Sequence, residues 1–362
     1  MLSSTSSSEH GSLSEASYER PLPQIDGTLA LVVALALFLA AMGAWEWAWR
    51  SYGGEPAFRN SPGQWAIQRR RIDHGEGGAL VIVGSSRMLF DINLDVWQRS
   101  TGRRPIQLAI EGTTPLPVVE DLADDPDFTG QLVIGVAPDL FFTGGAYVIE
   151  KFEHYHKETP AQRAGEWLSM TFLEPWLAFY EDDFALFTVL KRQDWPAREG
   201  VRTFINVRKL SVSDADRNTR MWSKVVEDPE YAALARRIWA QDFGEVPFGD
   251  VAKVAEKRDE QIGRAVAALA KLRARGVDVV FVRAPSVADY LAYEDRHWPR
   301  ADSWDTLLAR TGAPGVHFQD HAALQDYTLP EWSHMSASEA ERFTAVLAPM
   351  VEAKLAAPTP GG

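Results

Sequence analysis

The chain has 362 residues, 46% apolar and 24% charged, which is a globular composition long enough for one large or two ordinary domains. Its formal net charge of -13 argues against nucleic acid as the main partner, because phosphate contacts need clustered Lys and Arg. With no cysteine there is no disulfide and no thiolate metal site, and the compartment stays open on that count.

Residues 1–27 are rich in Ser and Glu and poor in apolar side chains, so they read as a disordered tail. Residues 28–49, "TLALVVALALFLAAMGAWEWAW", approach the roughly 20 residues that cross a bilayer. Trp45, Trp47 and Trp49 suit an aromatic belt, and Arg50 an interfacial anchor. A cleaved signal peptide is a second reading, since Ala41-Met42-Gly43 loosely fits a cleavage site. The apolar run and its leader are long for one, and no polar face supports a buried soluble helix, so an uncleaved anchor is expected. Only Arg20 precedes the span, while Arg50, Arg59, Arg69, Arg70 and Arg71 follow it. The positive-inside rule alone would place the main domain in the cytoplasm, although long domains translocate despite their charge.

Residues 50–78 read as a juxtamembrane linker with a short helix in "SPGQWAIQRRRID". From Ala79 an α/β pattern begins. "ALVIVG" is a buried strand, "NLDVWQRSTG" a helix stopped by Gly102, and "PIQLAIEG" a second strand. "PLPVVEDLADDP" is a helix and "GQLVIGVAPDLFF" a third strand. Residues 145–250 change character: "EWLSMTFLEPWLAFYEDDFALFTVLKRQ" and "PEYAALARRIWAQDF" are amphipathic helices, so the segment reads as an inserted helical cap. A long helix ending at Gly276 then feeds the strand "VDVVFVRAP", the return half of a βαβ crossover. "DTLLARTG" and "PGVHFQD" repeat that unit. "MSASEAERFTAVLAPMVEAKL" closes the domain as a helix, with Ser336 or Ser338 as N-cap. The expectation is one parallel-sheet α/β domain over 79–355, interrupted at about 145–250, with a short tail at 356–362. No phosphate-binding G-x-G-x-x-G or G-x-x-x-x-G-K is present.

In such sheets ligands bind beyond the carboxyl ends of the strands. The loops delivered there start at Gly84-Ser85-Ser86, Glu111-Gly112-Thr113 and Gly135 through Asp139. A serine at a strand-to-helix turn exposes its hydroxyl beside free backbone N–H groups, but it needs a base. Of eight histidines, His154 and His156 have H-x-H spacing without a supporting carboxylate pattern, so a surface loop is the plainer reading. His334 stands in "LPEWSHMSASEAERFT", three residues after Glu331, a spacing at which the carboxylate can hold the imidazole. Two polar surface residues at a helix entry would show the same spacing. Arg87 offers a bidentate fork for a substrate carboxylate or phosphate, or equally an internal ion pair. Arg283 and Ser286 end a strand on the same edge and are candidates to support the site. Trp167, Trp176 and Tyr180 are candidates to cap the cleft or face a partner, although aromatics at helical spacing are more often core.

Ser86 after the first strand, Gly112 after the second and Glu331-x-x-His334 before the last helix resemble the motif order of the SGNH (GDSL-like) hydrolase family. The nucleophile of that family sits in G-D-S; here "GSS" stands in its place, Ser86 matching the nucleophile and Ser85 replacing the Asp. Gly112 in "LAIEGTT" matches the second-block glycine, and "EWSH" matches D-x-x-H, with His334 as base and Glu331 in the acid's place. The resemblance covers roughly 79–140 and 276–350. "GVAPD" lacks the third-block Asn that supplies an oxyanion donor, and Glu is one methylene longer than Asp. The resemblance implies a flavodoxin-like three-layer sheet and acyl-ester chemistry without cofactor or metal, the N–H groups of Ser86 and Gly112 holding the oxyanion. A single anchor with a GSS serine motif is most similar to membrane-attached proteins of alginate acetylation and teichoic-acid D-alanylation. That implies acyl, foremost acetyl, groups moved to or from a cell-envelope or secreted polysaccharide. It also implies a multi-span membrane-bound O-acyltransferase as partner, and a periplasmic main domain on the inner membrane. The alternative is a weak or inactive accessory subunit that binds polymer or docks on that acyltransferase.

Overall fold

A strand apolar at every position, as Leu80–Val83 is, can be satisfied only inside a sheet covered on both faces. The computed structural model describes residues 26–193, 200 and 205–357. The tail expected at 1–27 falls almost wholly outside the described residues, and that at 356–362 mostly so. The strands are β1 (Leu80–Val83), β2 (Ile106–Gln107), β3 (Gln131–Gly135), β4 (Ser211–Ser213), β5 (Thr219–Met221), β6 (Asp278–Arg283) and β7 (Gly315–His317). Five form one sheet in the order β2-β1-β3-β6-β7, parallel throughout, and β4 with β5 is a separate antiparallel pair.

Period-two alternation divides the sheet's side chains between two cores. Leu80, Ile82, Val133, Val280 and Val282 enter one, under the helices Leu94–Thr101 and Ala337–Ala356. Val81, Val83, Leu132, Ile134, Val279 and Phe281 enter the other, under the helices Leu116–Asp124 and Val251–Ala274. Each fully buried Val or Ile contributes roughly 1.5–3 kcal/mol. The chain leaves β1 toward β2 on one side and returns to β3 on the other, so a crevice opens between the carboxyl ends of β1 and β3.

Helix signals in the sequence act as expected at several ends. Asn93 caps Leu94–Thr101 through its side chain, and Gly102 ends that helix at φ 76°. Ser336 caps Ala337–Ala356. The short helix expected within 50–78 is present as Pro62–Arg71; it buries Trp65 and Ala66, and its Arg69 side chain is enclosed by Asp73, Asp121 and Asp125. Of the three arginines in a row, Arg69 is paired with Asp121 of Leu116–Asp124, Arg70 with Glu158 and Arg71 with Glu76. Other expectations are corrected. The stretch expected as one helix over 166–193 breaks after Phe172, because Pro175 lacks an N–H and restricts Glu174; a second helix begins at Leu186. The third strand ends at Gly135, and Pro138 opens a short helix instead. The insertion also holds the hairpin β4–β5, which the sequence reading did not include.

That hairpin protects a sheet edge. Arg217, at φ 65° in its turn and fully buried, donates to the carbonyls of Gln107 (2.9 Å) and Ala109 (2.8 Å) on and beyond β2. Its remaining donors reach Asn60 Oδ1. Burial pushes the Arg217 guanidinium down to about 10, so it stays a cation at neutral pH.

The helix Gly27–Tyr52 has 26 residues, none buried, and is long and apolar enough to cross a membrane, with a mean hydropathy of 2.3 over its most apolar 18 residues. At 1.5 Å per residue it extends about 39 Å, beyond the roughly 30 Å of a hydrocarbon core. Residues to Ala48 form one unit and those from Trp49 another.

Arg217→Ala leaves two buried carbonyls without donors. The expected cost is about 3 kcal/mol, seen as a fall of several degrees in the thermal midpoint, with Arg217→Lys recovering part of it.

Candidate active site

Glycine at the ends of β1 and β3 is required by one side chain. Met88 crosses both strand ends so closely that a Cβ on Gly84 would lie 2.4 Å from Met88 Cγ, and a Cβ on Gly135 1.9 Å from it. Met88 is thereby seated in the crevice, and the short helix Ser86–Phe90 that carries it starts immediately after β1. Ser85 is the extended N-cap residue, and Ser86 is the first helical residue, partly exposed.

The loop before the last helix supplies the partner. Trp332 N–H bonds to Leu329 O at 3.1 Å and Trp332 takes φ 75°, a strained left-handed conformation for a bulky residue. This turn brings Glu331 and His334 onto the same side. His334 Nδ1 lies 2.8 Å from Glu331 Oε1, and the backbone N–H of His334 donates to the same oxygen at 2.6 Å. With Nδ1–H donating to the carboxylate, Nε2 is left to accept from the Ser86 hydroxyl, 2.7 Å away. Glu331 and His334 are buried. Ser86, His334 and Glu331 thus form a continuous hydrogen-bonded series across 248 residues of sequence.

Two further residues complete this arrangement, and the sequence reading missed both. Trp239, at the end of the helix Pro229–Trp239 in the insertion, donates its indole N–H to Glu331 Oε2. Arg236 of the same helix donates to Pro330 O at 2.6 Å. In the sequence Trp239 is one more aromatic on an amphipathic helix, and nothing local sets it apart. Asp91 ends the helix that begins with Ser86, and its Oδ1 accepts the N–H of Met335, the residue after His334, at 2.9 Å. Its Oδ2 is buried without a hydrogen bond. Burial pushes the Asp91 carboxyl up to about 7, against the pull of His334 and the Met335 N–H. An Asp two residues before the helix-capping Asn93 was the available signal.

Arg87 does not present an open fork. Its guanidinium is buried, paired with Glu294 at 2.8 Å, bonded to Ser333 Oγ at 3.2 Å and laid over the Tyr290 ring. It therefore tethers the loop of His334 to the helix of Ser86, and of the two readings offered for Arg87 the internal ion pair is the one present, not the open substrate fork. Arg283 and Ser286 join the same buried cluster through Glu294 Oε2, at 2.7 and 2.5 Å. Burial opposes the charge on Glu294, but Arg283 and Arg87 outweigh it and hold its carboxyl below the usual range.

Gly112 takes φ 60° in the turn after β2, where its carbonyl accepts the Tyr147 N–H at 3.0 Å. The adjacent Glu111 lines a pocket of about 270 Å³ together with Asn60, Lys151, Phe58 and Phe90. The Phe90 ring lies 4.7 Å from the His334 ring, which connects this pocket to the series. The H-x-H pair is engaged elsewhere: His154 with Glu158 at 3.2 Å and His156 with Asp121 at 3.3 Å. Among the described residues no group of three or more potential ligands is placed to hold a metal. Trp167 and Trp176 are exposed and Tyr180 lies under Arg59, so none of these contacts places them over His334. No protein-family model matches this chain, and no curated protein matches it.

Asp91 makes stability pH-dependent in a definite direction. Unfolded it titrates near 3.8 and folded near 7, so between those values the folded state retains a proton that the unfolded state has lost. Its contribution is fully present below about 4 and is lost as pH rises through about 7, by on the order of 4 kcal/mol. Asp91→Asn removes that slope. The difference in thermal midpoint, variant minus parent, should therefore increase between pH 4.5 and 7.5 when both are melted in the same detergent.

Proposed function

We propose that this chain is a membrane-anchored serine esterase or O-acyltransferase of the SGNH type. Its substrates are O-acyl groups, acetyl foremost, of a cell-envelope or secreted polysaccharide. The observation that carries the reading is the Ser86–His334–Glu331 series at the crevice between β1 and β3. The strand order β2-β1-β3-β6-β7 supports it, being the flavodoxin-like order with its switch point at β1 and β3. The pocket beside Phe90 suits a sugar: two phenylalanine rings for its C–H faces, with Asn60, Lys151 and Glu111 for its hydroxyls.

In this mechanism the Ser86 oxygen attacks the acyl carbonyl while its proton passes to His334 Nε2. Glu331 fixes the imidazole tautomer and stabilises the imidazolium, and Trp239 fixes Glu331. The oxyanion is held by the N–H groups of Ser86 and Gly112. His334 returns the proton to the departing alcohol as the tetrahedral species collapses. A sugar hydroxyl or water then attacks the acyl-Ser86 ester, with His334 again taking and giving the proton. No cofactor enters. In this reading the domain works on the periplasmic side of the inner membrane, beside a multi-span O-acyltransferase; what supports it is the membrane-length helix Gly27–Tyr52. A second reading, an accessory subunit that binds polymer or docks on that partner, is favoured by Ala137. It stands two residues after Gly135, where an Asn donor is expected, and removal of one such donor costs about 10²–10³ in rate.

The test uses the full chain in detergent with an aryl acetate. Ser86→Ala and His334→Ala should each lower kcat by about 10³ or more, and Glu331→Gln by a comparable factor. Trp239→Phe, which removes one donor to a carboxylate, should cost about 10- to 100-fold. Hydrolysis that is equal in parent and Ser86→Ala, or absent from both, sinks the enzyme reading in favour of the accessory one.

A further inference from the structure

We infer that part of the insertion is seated on a lipid bilayer, so that the domain touches the membrane through a second surface besides its anchor. The inference rests on the reading of Gly27–Tyr52 as that anchor. Its basis is a helix packed the wrong way round for a water-soluble surface. In Pro160–Phe172 two polar side chains face inward, Glu166 accepting from Ser61 and buried Ser169 donating to buried Glu174, while Gln162, Arg163 and Thr171 stay exposed. Its outward face carries Trp167 (60% exposed), Leu168 and Phe172. Exposed apolar side chains recur nearby. Trp176 is 67% exposed, and the helix Leu186–Lys191 shows Leu186 and Phe187 (78%) to the outside. Scattered exposed apolar residues need no explanation, but four aromatics and two leucines within one 21-residue stretch of the insertion do.

What covers them is indicated by where they are fastened. The last turn of the anchor helix is joined to this segment directly: Arg50 donates to Trp176 O at 3.0 Å, and the Trp49 ring stacks on Phe184 at 4.4 Å. Just beyond, Arg59 binds Glu174 and Asp182, the residues flanking the same segment. Trp and Arg at the end of a spanning helix mark the membrane interface. A patch of Trp, Phe and Leu held against that turn therefore lies at headgroup level, where amphipathic helices immerse their apolar faces by about 5–10 Å. The occupant is the bilayer itself, at the headgroup–acyl boundary.

The chain has no cysteine, so single thiols report cleanly. The full chain would be reconstituted into vesicles of phosphatidylcholine with a minority of phosphatidylglycerol. A fluorophore is attached at Trp167→Cys or Phe187→Cys, with Leu35→Cys as the anchor control and Ser100→Cys as the water-exposed control. Nitroxide-bearing lipid and aqueous iodide are the two quenchers. These side chains are exposed, so the substitutions remove little packing. The expected result is loss of most of the signal at 167 and 187 with the lipid-borne quencher, as at 35, and retention of it in iodide, which quenches at 100. Lipid quenching at 35 with iodide quenching at 187 overturns the inference and leaves the anchor standing. Iodide quenching at 35 overturns the anchor reading and the inference with it. Shielding of 187 from both quenchers also overturns it, because a protein surface then covers the patch.

Discussion

A carboxylate withdrawn completely from water needs donors to replace its hydration. Glu331 is such a group, and the donors it receives come from separate parts of the chain. Two belong to His334, three residues on; the third is the indole of Trp239, from an insertion nearly a hundred residues earlier. Satisfying Glu331 thereby fixes the ring of His334 and draws the insertion onto the sheet. Because Nδ1 is committed to Glu331, Nε2 faces Ser86. The chemistry of the site and the docking of the insertion are consequences of the same buried charge.

The other half of the site is set by close packing. Met88 fits only because β1 and β3 end in glycine, and its position orients the helix that begins at Ser86. Ser86 and Asp91 bracket that helix, one meeting His334 and the other the residue after it. Arg87 ties the same helix to Ser333. The five-residue element is therefore held at both ends and in the middle to the loop that carries the imidazole. Such multiple fastening limits drift between the Ser86 hydroxyl and the His334 imidazole; in the proposed reaction an error of about 1 Å there can cost 100-fold in rate.

For an acidic protein, the interior makes unusual use of arginine. Arg69, Arg87, Arg217 and Arg283 are all buried, each with an assigned set of acceptors. Their partners are carboxylates in three cases and strand carbonyls with an asparagine in the fourth. Removing any partner leaves a charge or carbonyl unsatisfied, so these residues specify which segments meet more than they add net stability.

Strand positions, the glycine-ended loops and the capped helices were legible in the sequence, because β-branched runs, Asn93, Gly102 and Ser336 act through local backbone preferences. The apolar span at 28–49 was legible for the same reason, being a matter of length and composition. The pairing of Glu331 with His334 was visible as a three-residue spacing, though a surface turn would have looked alike. What only the tertiary structure decided was non-local. It carried Ser86 to His334 across the sheet, brought Trp239 to Glu331, and enclosed Arg69 and Arg87, whose charges read as solvent-facing or ligand-facing when their partners are unknown. It also left the aromatic side chains Trp167, Phe172 and Trp176 facing outward. Hydropathy says how much apolar surface a helix has; which neighbour or solvent covers it depends on the polar contacts made by its opposite face.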